Sequence, residues 1–317
     1  MGIELSKEES EFCKGLALIF VIVSHMPRVL GGRWHFLNPL GYFGVAVFLF
    51  LSGYGLQKSY DKNGLKEFWK KRIRRIIPSL TIVTLMIVAV CKIMNNGEFK
   101  ATDIVLSCLG LSNTVNPVTW YIGMMWYCYL LYYLCQKIGV GSELPICISI
   151  MALSILFGNT SINMWGLNAF SFSAGILSAK HKLHINIIRK YYLFVSVMFF
   201  AMGFILYYFV VGNIDTLIIR NPSKSVIAIL FLNCFVSMIN ACKRFIIRDR
   251  ILRKLGELSY EAFMIHAIFI WYFPQLFSDV PILIAVLIFS ILTWIISEIV
   301  HKLVGLNEKI LDRRINL

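Results

Sequence analysis

The sequence has few charged residues and lacks the short motifs of common soluble enzymes. Only 15 % of its 317 residues are Asp, Glu, Lys or Arg, whereas 58 % are hydrophobic. It contains no Walker-type phosphate loop, no GxGxxG turn, no HExxH and no GxSxG. These absences argue against the usual ATPase, dehydrogenase, zinc-protease and serine-hydrolase classes. The composition is that of a polytopic membrane protein.

Cysteine and linker sequences are also scarce. The eight cysteines form no CxxC pair and no metal-like spacing, so we expect small core residues without disulfides and no metal site. No Pro/Ser-rich linker or internal repeat is present, which predicts one domain over 1–317 with a helical core at about 11–301. The first ten residues, "MGIELSKEES", hold three acidic residues and one basic residue, and no A-x-A site follows, so we expect a retained membrane anchor.

Apolar runs long enough to cross a bilayer recur along the chain, which predicts an all-α membrane protein with about ten spans. A shorter run, "DIVLSCLGLSNT" at 103–114, predicts a loop helix or a re-entrant segment. The ten predicted spans are 15–31, 40–57, 76–94, 118–137, 145–159, 164–179, 191–211, 224–241, 258–277 and 281–300.

The positive charge follows these spans. The net charge of +14 lies in clusters between apolar runs, which is a topological pattern and not a nucleic-acid-binding face. With a cytosolic N-terminus, ten spans return the C-terminus to the cytosol, and 25 of the 31 Lys and Arg residues fall on the cytosolic side. This asymmetry predicts that both termini are cytosolic.

Two ionisable residues mark the first predicted span, "CKGLALIFVIVSH". Lys14 and His25 are eleven residues apart, about three helical turns, and so share one helix face about 16 Å apart along the axis. Ionisable groups in a membrane are costly and indicate functional sites. His25 is either a general base that takes a proton from a hydroxyl or a neutral interfacial histidine, with Lys14 extended to the headgroups.

A basic cluster precedes the third span, in "KEFWKKRIRRIIPSL". Arg72 and Arg75 lie three residues apart on one helix face, before Pro78, which predicts a break or restart of the helix. Paired guanidinium groups suit phosphates, which they bind bidentately. A positive-inside anchor of the third span is the alternative explanation.

Two further stretches carry polar residues. "FLFLSGYGL" places Ser52 beside Gly53, a pair typical of a tight helix contact or of a helix C-cap. "LGELSYEAFMIHAIFI" brings Ser259, Tyr260 and His266 into the ninth span, where His266 is taken first as a hydrogen-bonding partner between helices.

Together these stretches resemble the acyltransferase-3 family of integral membrane acyltransferases over about Glu11 to His301. The most specific element is a basic residue, ten intervening positions and a histidine, here Lys14 and His25. The other similar elements are "FLFLSGYGL", the RxxR of Arg72 and Arg75, the tryptophan-led "TWYIGMMWYCYLLYYL" from Trp120, and "LGELSYEAFMIH".

The resemblance implies a ten-helix bundle in the bacterial cytoplasmic (inner) membrane. Such a protein moves an acyl group, acetyl being the expected one, from cytosolic acyl-CoA to a hydroxyl of a surface polysaccharide or lipid-linked glycan. The implied partners are therefore membrane lipids, acyl-CoA and the glycan acceptor, without nucleic acid or metal. The implied site residues are His25 with Lys14 for catalysis, Arg72 and Arg75 for CoA, and Ser52, Trp120, Ser259, Tyr260 and His266 in support.

The chain departs from the family pattern at two points and also lacks the fused extracytoplasmic domain of some members. Lys14 stands where many members have Arg, and it lacks the bidentate fork. Met125 and Trp126 stand where a frequent subgroup carries an acid. A transporter or flippase of lipid-linked sugars is the rival interpretation, although neither an inverted repeat nor paired broken helices are visible in the sequence.

Overall fold

The computed structural model describes residues 5–30, 32–95, 97–181, 189–211, 214, 216–246, 249–277 and 280–315 of the protein. The regular elements in these ranges are helical. The helices are α1 Lys7–His25, α2 Pro27–Leu30, α3 Asn38–Asn63, α4 Phe68–Ile93, α5 Ala101–Cys108, α6 Trp120–Ile138, α7 Glu143–Leu156, α8 Asn163–Gly166, α9 Ser171–Lys180, α10 Arg189–Leu206, α11 Leu217–Ala241, α12 Lys243–Ile246, α13 Arg250–Glu257, α14 Ser259–Ala267 and α15 Ile282–Ile315. Short 3₁₀ turns lie at Gly32–Leu37, Pro117–Thr119 and Pro274–Phe277, and π-helical turns at Tyr207–Val211 and Ile268–Tyr272.

The chain forms two compact units. The first is drawn from Met1–Val21, Pro39–Lys66 and Met124–Gly256, and the second from Ile22–Asn38, Glu67–Gly123 and Glu257–Leu317. The division falls inside α1, so that Lys14 belongs to the first unit and His25 to the second. The expectation of one domain over the whole chain stays a prediction.

Five helical segments are long and apolar enough to cross a membrane. They coincide with the predicted spans at 40–57, 76–94, 191–211, 224–241 and 281–300. The other five predicted spans fall on helices that are shorter or richer in polar residues, and they stay predictions, as does the cytosolic position of both termini. The five segments are Trp34–Asn63, Phe68–Ile93, Tyr191–Val210, Leu217–Ala241 and Ile282–Leu306.

Exposed apolar surface supports a membrane location. Almost none of Tyr191–Val210 is buried, although the segment is strongly apolar. Phe194, Phe199 and Phe209 are among its exposed side chains. A continuous apolar face of this size is unfavourable in water and suits lipid contact.

The helix at the first predicted span ends earlier than the sequence indicated. We expected a helix over 15–31, whereas α1 ends at His25 and α2 begins at Pro27. Proline has no main-chain N–H and disfavours helical geometry in the residue before it, here Met26. His25 is therefore the last residue of a helix and not part of its interior.

Pro78 does not break the third span. The α4 helix continues from Phe68 to Ile93 with Pro78 inside it, so the predicted break or restart is wrong. Proline removes one main-chain hydrogen bond, and membrane helices tolerate this loss where neighbouring groups satisfy the freed carbonyl. Arg72 and Arg75 consequently lie on the same helix as the apolar span that follows them.

Two other predicted spans are interrupted. The segment 164–179 is divided between α8 and α9. The segment 258–277 begins as α14 and continues as the π-helical turn Ile268–Tyr272. By contrast, the short run at 103–114 forms the predicted short helix, α5, which packs on α4.

The core of the first unit contains a close crossing of α3 and α9. A Cβ atom on Gly53 would lie 2.1 Å from the carbonyl oxygen of Phe172, and one on Gly175 would lie 2.0 Å from that of Phe50. The two glycines thus allow the backbones to approach closely, which confirms the tight helix contact expected of the Ser52–Gly53 pair.

The second unit is built around α14, which packs on both α4 and α15. Phe269, Phe277 and Phe289 form a triangle of aromatic contacts, with ring centroids 5.8 to 6.3 Å apart. Leu80 and Met264 are fully buried in this unit. The packing gives α14 a rigid setting, which matters for the histidine it carries.

All eight cysteines are free thiols. Cys13, Cys91, Cys128 and Cys135 are buried, in agreement with their predicted role as small core residues. Cys242 is exposed, so the prediction is wrong for this residue. It directly follows the last residue of α11.

Candidate functional site

His25 lies in the second unit against two aromatic rings. Its ring centroid is 5.4 Å from that of His266, with 23° between the ring planes, and 5.0 Å from that of Trp271 in an edge-on contact. These separations are typical of aromatic pairs in contact. The structure therefore brings together two residues predicted from sequence, His25 and His266, and adds Trp271.

His266 is held in one orientation. It is 0 % exposed, and its Nδ1 lies 3.3 Å from the carbonyl oxygen of Ala262, one turn earlier on α14. A carbonyl oxygen only accepts, so Nδ1 carries the proton and Nε2 carries a lone pair. Among the residues that the structure describes, Nε2 has no hydrogen-bond partner. Buried polar atoms without a partner are uncommon and indicate a functional role.

The π-helical turn Ile268–Tyr272 carries Trp271. Turns of this type are rare and frequent at functional sites. Two hydrogen bonds join α14 and this turn to the loop before α6. The Asn116 amide donates to the Met264 carbonyl at 3.1 Å, and the Tyr272 hydroxyl donates to the Val115 carbonyl at 2.6 Å.

One cation lies beside this aromatic group. The guanidinium carbon of Arg28 lies 4.6 Å from the ring centroid of Trp271. Arg28 itself is exposed and belongs to α2, directly after the break that ends α1. The contact is a cation–π interaction, through which α2 stabilises the position of Trp271.

A buried carboxylate lies in the same unit, five residues before His266 on α14. Glu261 is 5 % exposed and accepts a hydrogen bond from Ser79 Oγ at 2.9 Å. His301 Nδ1 lies 3.4 Å from the same carboxylate oxygen. This network joins α4, α14 and α15. Its polar and ionisable side chains would be energetically costly in a membrane without such partners.

Ser259 and Tyr260 begin α14. Ser259 is buried, and the Tyr260 hydroxyl donates to the Ile76 carbonyl on α4 at 3.1 Å. Tyr260 therefore links the start of α14 to the helix that carries the arginine pair. Tyr260 thus supports the unit structurally, and a direct part of either residue in chemistry stays a prediction.

The arginine pair is present on α4 with unequal surroundings. Arg72 donates a hydrogen bond to the Phe68 carbonyl at 2.8 Å, and its guanidinium carbon lies 3.9 Å from the centre of the Phe68 ring. Arg75 is exposed. Arg72 is thus held against its own helix, while Arg75 extends from it. Their predicted binding of CoA phosphates stays a prediction.

Two of the predicted site residues lie in the first unit. Lys14 is half-buried on α1 beside Gly15, where an added Cβ would lie 2.1 Å from the Leu252 carbonyl oxygen of α13. Ser52 Oγ lies 2.8 Å from the Tyr129 hydroxyl, so Ser52 links α3 to α6. The predicted roles of Lys14 in catalysis and of Ser52 in support stay predictions.

Trp120 opens α6 in the second unit. It is half-buried, and its ring centroid is 6.4 Å from that of Tyr121. Asn116 begins the preceding turn and accepts a hydrogen bond from the Val118 N–H at 3.3 Å. The turn thereby sets the start of α6, and a direct role of Trp120 stays a prediction.

Sequence reasoning missed three residues of this unit. Trp271 gives no motif signal, since aromatic residues are common throughout the chain. Glu261 was visible as an acid within an apolar run, which is the usual signal for a functional or network residue in a membrane helix. Asn116 followed no pattern, and only the folded backbone places it beside Met264.

The arrangement is suited to proton transfer. It contains the His25 imidazole at a helix end and the His266 imidazole with a fixed tautomer. It also contains the Trp271 indole, which contacts both His25 and the Arg28 cation. Imidazole is the side chain best able to accept a proton near neutral pH. Among the described residues, no cluster of three or more His, Cys, Asp or Glu could hold a metal ion.

Comparison with known families identifies a domain that spans most of the chain. A family model described as an acyltransferase domain, Acyl_transf_3, matches residues 8–299. The match includes both histidines, the arginine pair and Trp271. No curated protein and no solved structure matches the chain.

Proposed function

Because the chain belongs to the acyltransferase-3 family, a family of membrane acyltransferases, we propose that it is an acyl-CoA-dependent O-acyltransferase of the bacterial inner membrane. The acceptor is a hydroxyl of a cell-surface polysaccharide or lipid-linked glycan, and acetyl is the expected acyl group. The observation that carries this proposal is the contact of His25 with His266 and Trp271 inside a region that the family model covers.

In the proposed mechanism His25 acts as the general base. Its imidazole takes the proton of the acceptor hydroxyl while the oxygen attacks the thioester carbonyl carbon. The new O–C bond forms, the C–S bond breaks, and the sulfur leaves as a thiolate. The imidazolium then returns its proton to that sulfur, which gives free CoA thiol and restores neutral His25.

The donor is proposed to bind through Arg72 and Arg75. CoA carries phosphates, which guanidinium groups bind in bidentate fashion. Arg75 is exposed on α4, and Arg72 is braced against Phe68, so the two cations lie on a rigid helix one turn apart. Support for this assignment comes from charge and spacing.

Replacing both arginines by glutamine is expected to raise the KM for acetyl-CoA by about 10-fold or more and to change kcat little, because two charge-assisted hydrogen bonds to phosphate are lost. The measurement is the rate of thiol release against acetyl-CoA concentration in vesicles. The matched control replaces Lys70 and Lys71, which removes the same charge from the same part of α4. An equal KM in the two double variants would leave the arginines with a topological role only.

Release of CoA thiol distinguishes the proposal from the transporter alternative. We expect purified protein in lipid vesicles to release thiol from acetyl-CoA only when a glycan acceptor is present, since the acyl group needs a hydroxyl to receive it. Thiol is measured with a colorimetric thiol reagent, with acceptor-free vesicles as the control. Movement of lipid-linked sugar across the vesicle without thiol release would contradict the proposal.

A further inference from the structure

We propose that His266 is the positioning residue of the acyl-transfer site and that its Nε2 accepts a hydrogen bond from the His25 ring. The inference rests on the proposed function of His25 as the general base. A neutral imidazole that takes a proton at one nitrogen carries its own N–H at the other. That N–H needs an acceptor, which also decides the orientation of the ring.

His266 offers the acceptor. Its Nδ1 proton is engaged by the Ala262 carbonyl on its own helix, so the lone pair lies on Nε2, at the side of the ring turned away from that bond. Nε2 is buried without a partner in the described part of the chain. A fixed lone pair of this kind is costly unless a donor reaches it.

The His25 ring packs directly against the His266 ring. The two rings are nearly parallel, at 23°, with centroids 5.4 Å apart. An N–H···N bond needs the two nitrogens about 3 Å apart. Ring nitrogens lie at the rims of their rings, so the proposed bond requires the His25 side chain to turn one N–H toward Nε2 of His266. His266 does not need to move, because its backbone hydrogen bond and its contact with Phe263 hold it.

Proton transfer strengthens the same bond. When His25 takes the hydroxyl proton it becomes a cation in a largely apolar setting, where an ion without a hydrogen-bond partner is unfavourable. The neighbouring charge is Arg28, which is also positive, so a neutral lone pair is the favourable neighbour. His266 itself makes and breaks no covalent bond. The hydroxyl proton moves to the other nitrogen of His25 and later to the thiolate.

Three substitutions test the acceptor. His266→Phe keeps an aromatic ring against His25 but removes the lone pair, and His266→Gln places an amide oxygen near the position of Nε2. His266→Asn keeps a polar group near Nδ1 and leaves the Nε2 position empty. The assay is thiol release from acetyl-CoA in native membrane vesicles that contain the full chain and its acceptor, normalised to the amount of membrane-inserted protein.

We expect His266→Phe and His266→Asn to lower kcat by about 10- to 100-fold without a change in KM for acetyl-CoA, because a hydrogen bond to a charged group is lost. His266→Gln is expected to retain several-fold more activity than either. Wild-type activity in His266→Phe, or equal loss in the Gln, Asn and Phe variants, would overturn the proposal, since packing alone would then explain the residue.

His25→Ala, measured alongside, separates this inference from the proposed function. Full activity in His25→Ala would remove the proposed base and the inference with it. Loss of activity in His25→Ala together with normal activity in His266→Phe would leave the proposed function standing and reject His266 alone.

Discussion

Replacement of His25 by alanine is expected to lower acyl transfer by about 10²- to 10⁴-fold, the usual contribution of a positioned general base. The side chain occupies the end of α1 and contacts both His266 and Trp271, so its removal takes away the imidazole that packs against His266. The measurement is acetyl transfer to cell-envelope glycan, followed as base-released acetate and as CoA thiol.

The control for this substitution is His181→Ala. His181 is exposed, directly follows α9 and belongs to the first unit, whereas the histidine pair belongs to the second. Its replacement is expected to leave activity within twofold of wild type. Full activity in His25→Ala at normal protein levels would defeat the assignment of the base and return His25 to the role of an interfacial histidine.

Gly53→Ala is expected to cause a large loss of stability for a small substitution. The added Cβ would lie 2.1 Å from the Phe172 carbonyl oxygen, a main-chain atom that cannot swing aside, so α3 and α9 must separate. Overpacking in a core costs about 1–3 kcal/mol, and a backbone clash belongs at the upper end of that range. The measurement is the melting temperature in detergent, determined from the fraction of protein that stays monodisperse.

Gly55→Ala is the matched control, two residues further along the same helix. A Cβ atom there would meet nothing within 4 Å, and alanine favours a helix more than glycine does. We expect a melting temperature equal to or above that of wild type. If Gly53→Ala and Gly55→Ala had the same melting temperature, the close crossing of α3 and α9 would not contribute to stability.

The sequence predicted local features well where a single segment of the chain determines them. The apolar runs at 40–57 and 281–300 coincide with helices of membrane-spanning length, because hydrophobic length is a property of one segment. The run at 103–114 was recognised as too short to span. The tight contact at Gly53 was also expected, since small residues in apolar helices allow close backbone approach.

Other local expectations were wrong because two effects compete at proline. Pro78 removes a hydrogen bond yet lies inside α4, whereas Pro27 begins a new helix two residues after His25. The difference depends on whether the surroundings accommodate the freed carbonyl. Such surroundings are contributed by other segments, so the pattern around a proline does not decide the outcome.

His25 and His266 could each be selected from the sequence alone, as imidazoles in apolar segments of a chain that resembles membrane acyltransferases. Their contact, the tautomer of His266 and the presence of Trp271 came only from the folded chain. The two histidines lie more than two hundred residues apart, and helical periodicity describes neighbours within a few turns. Which faces of α1 and α14 meet depends on packing between distant segments, so the candidate residues are written in the sequence while their pairing arises from the tertiary structure.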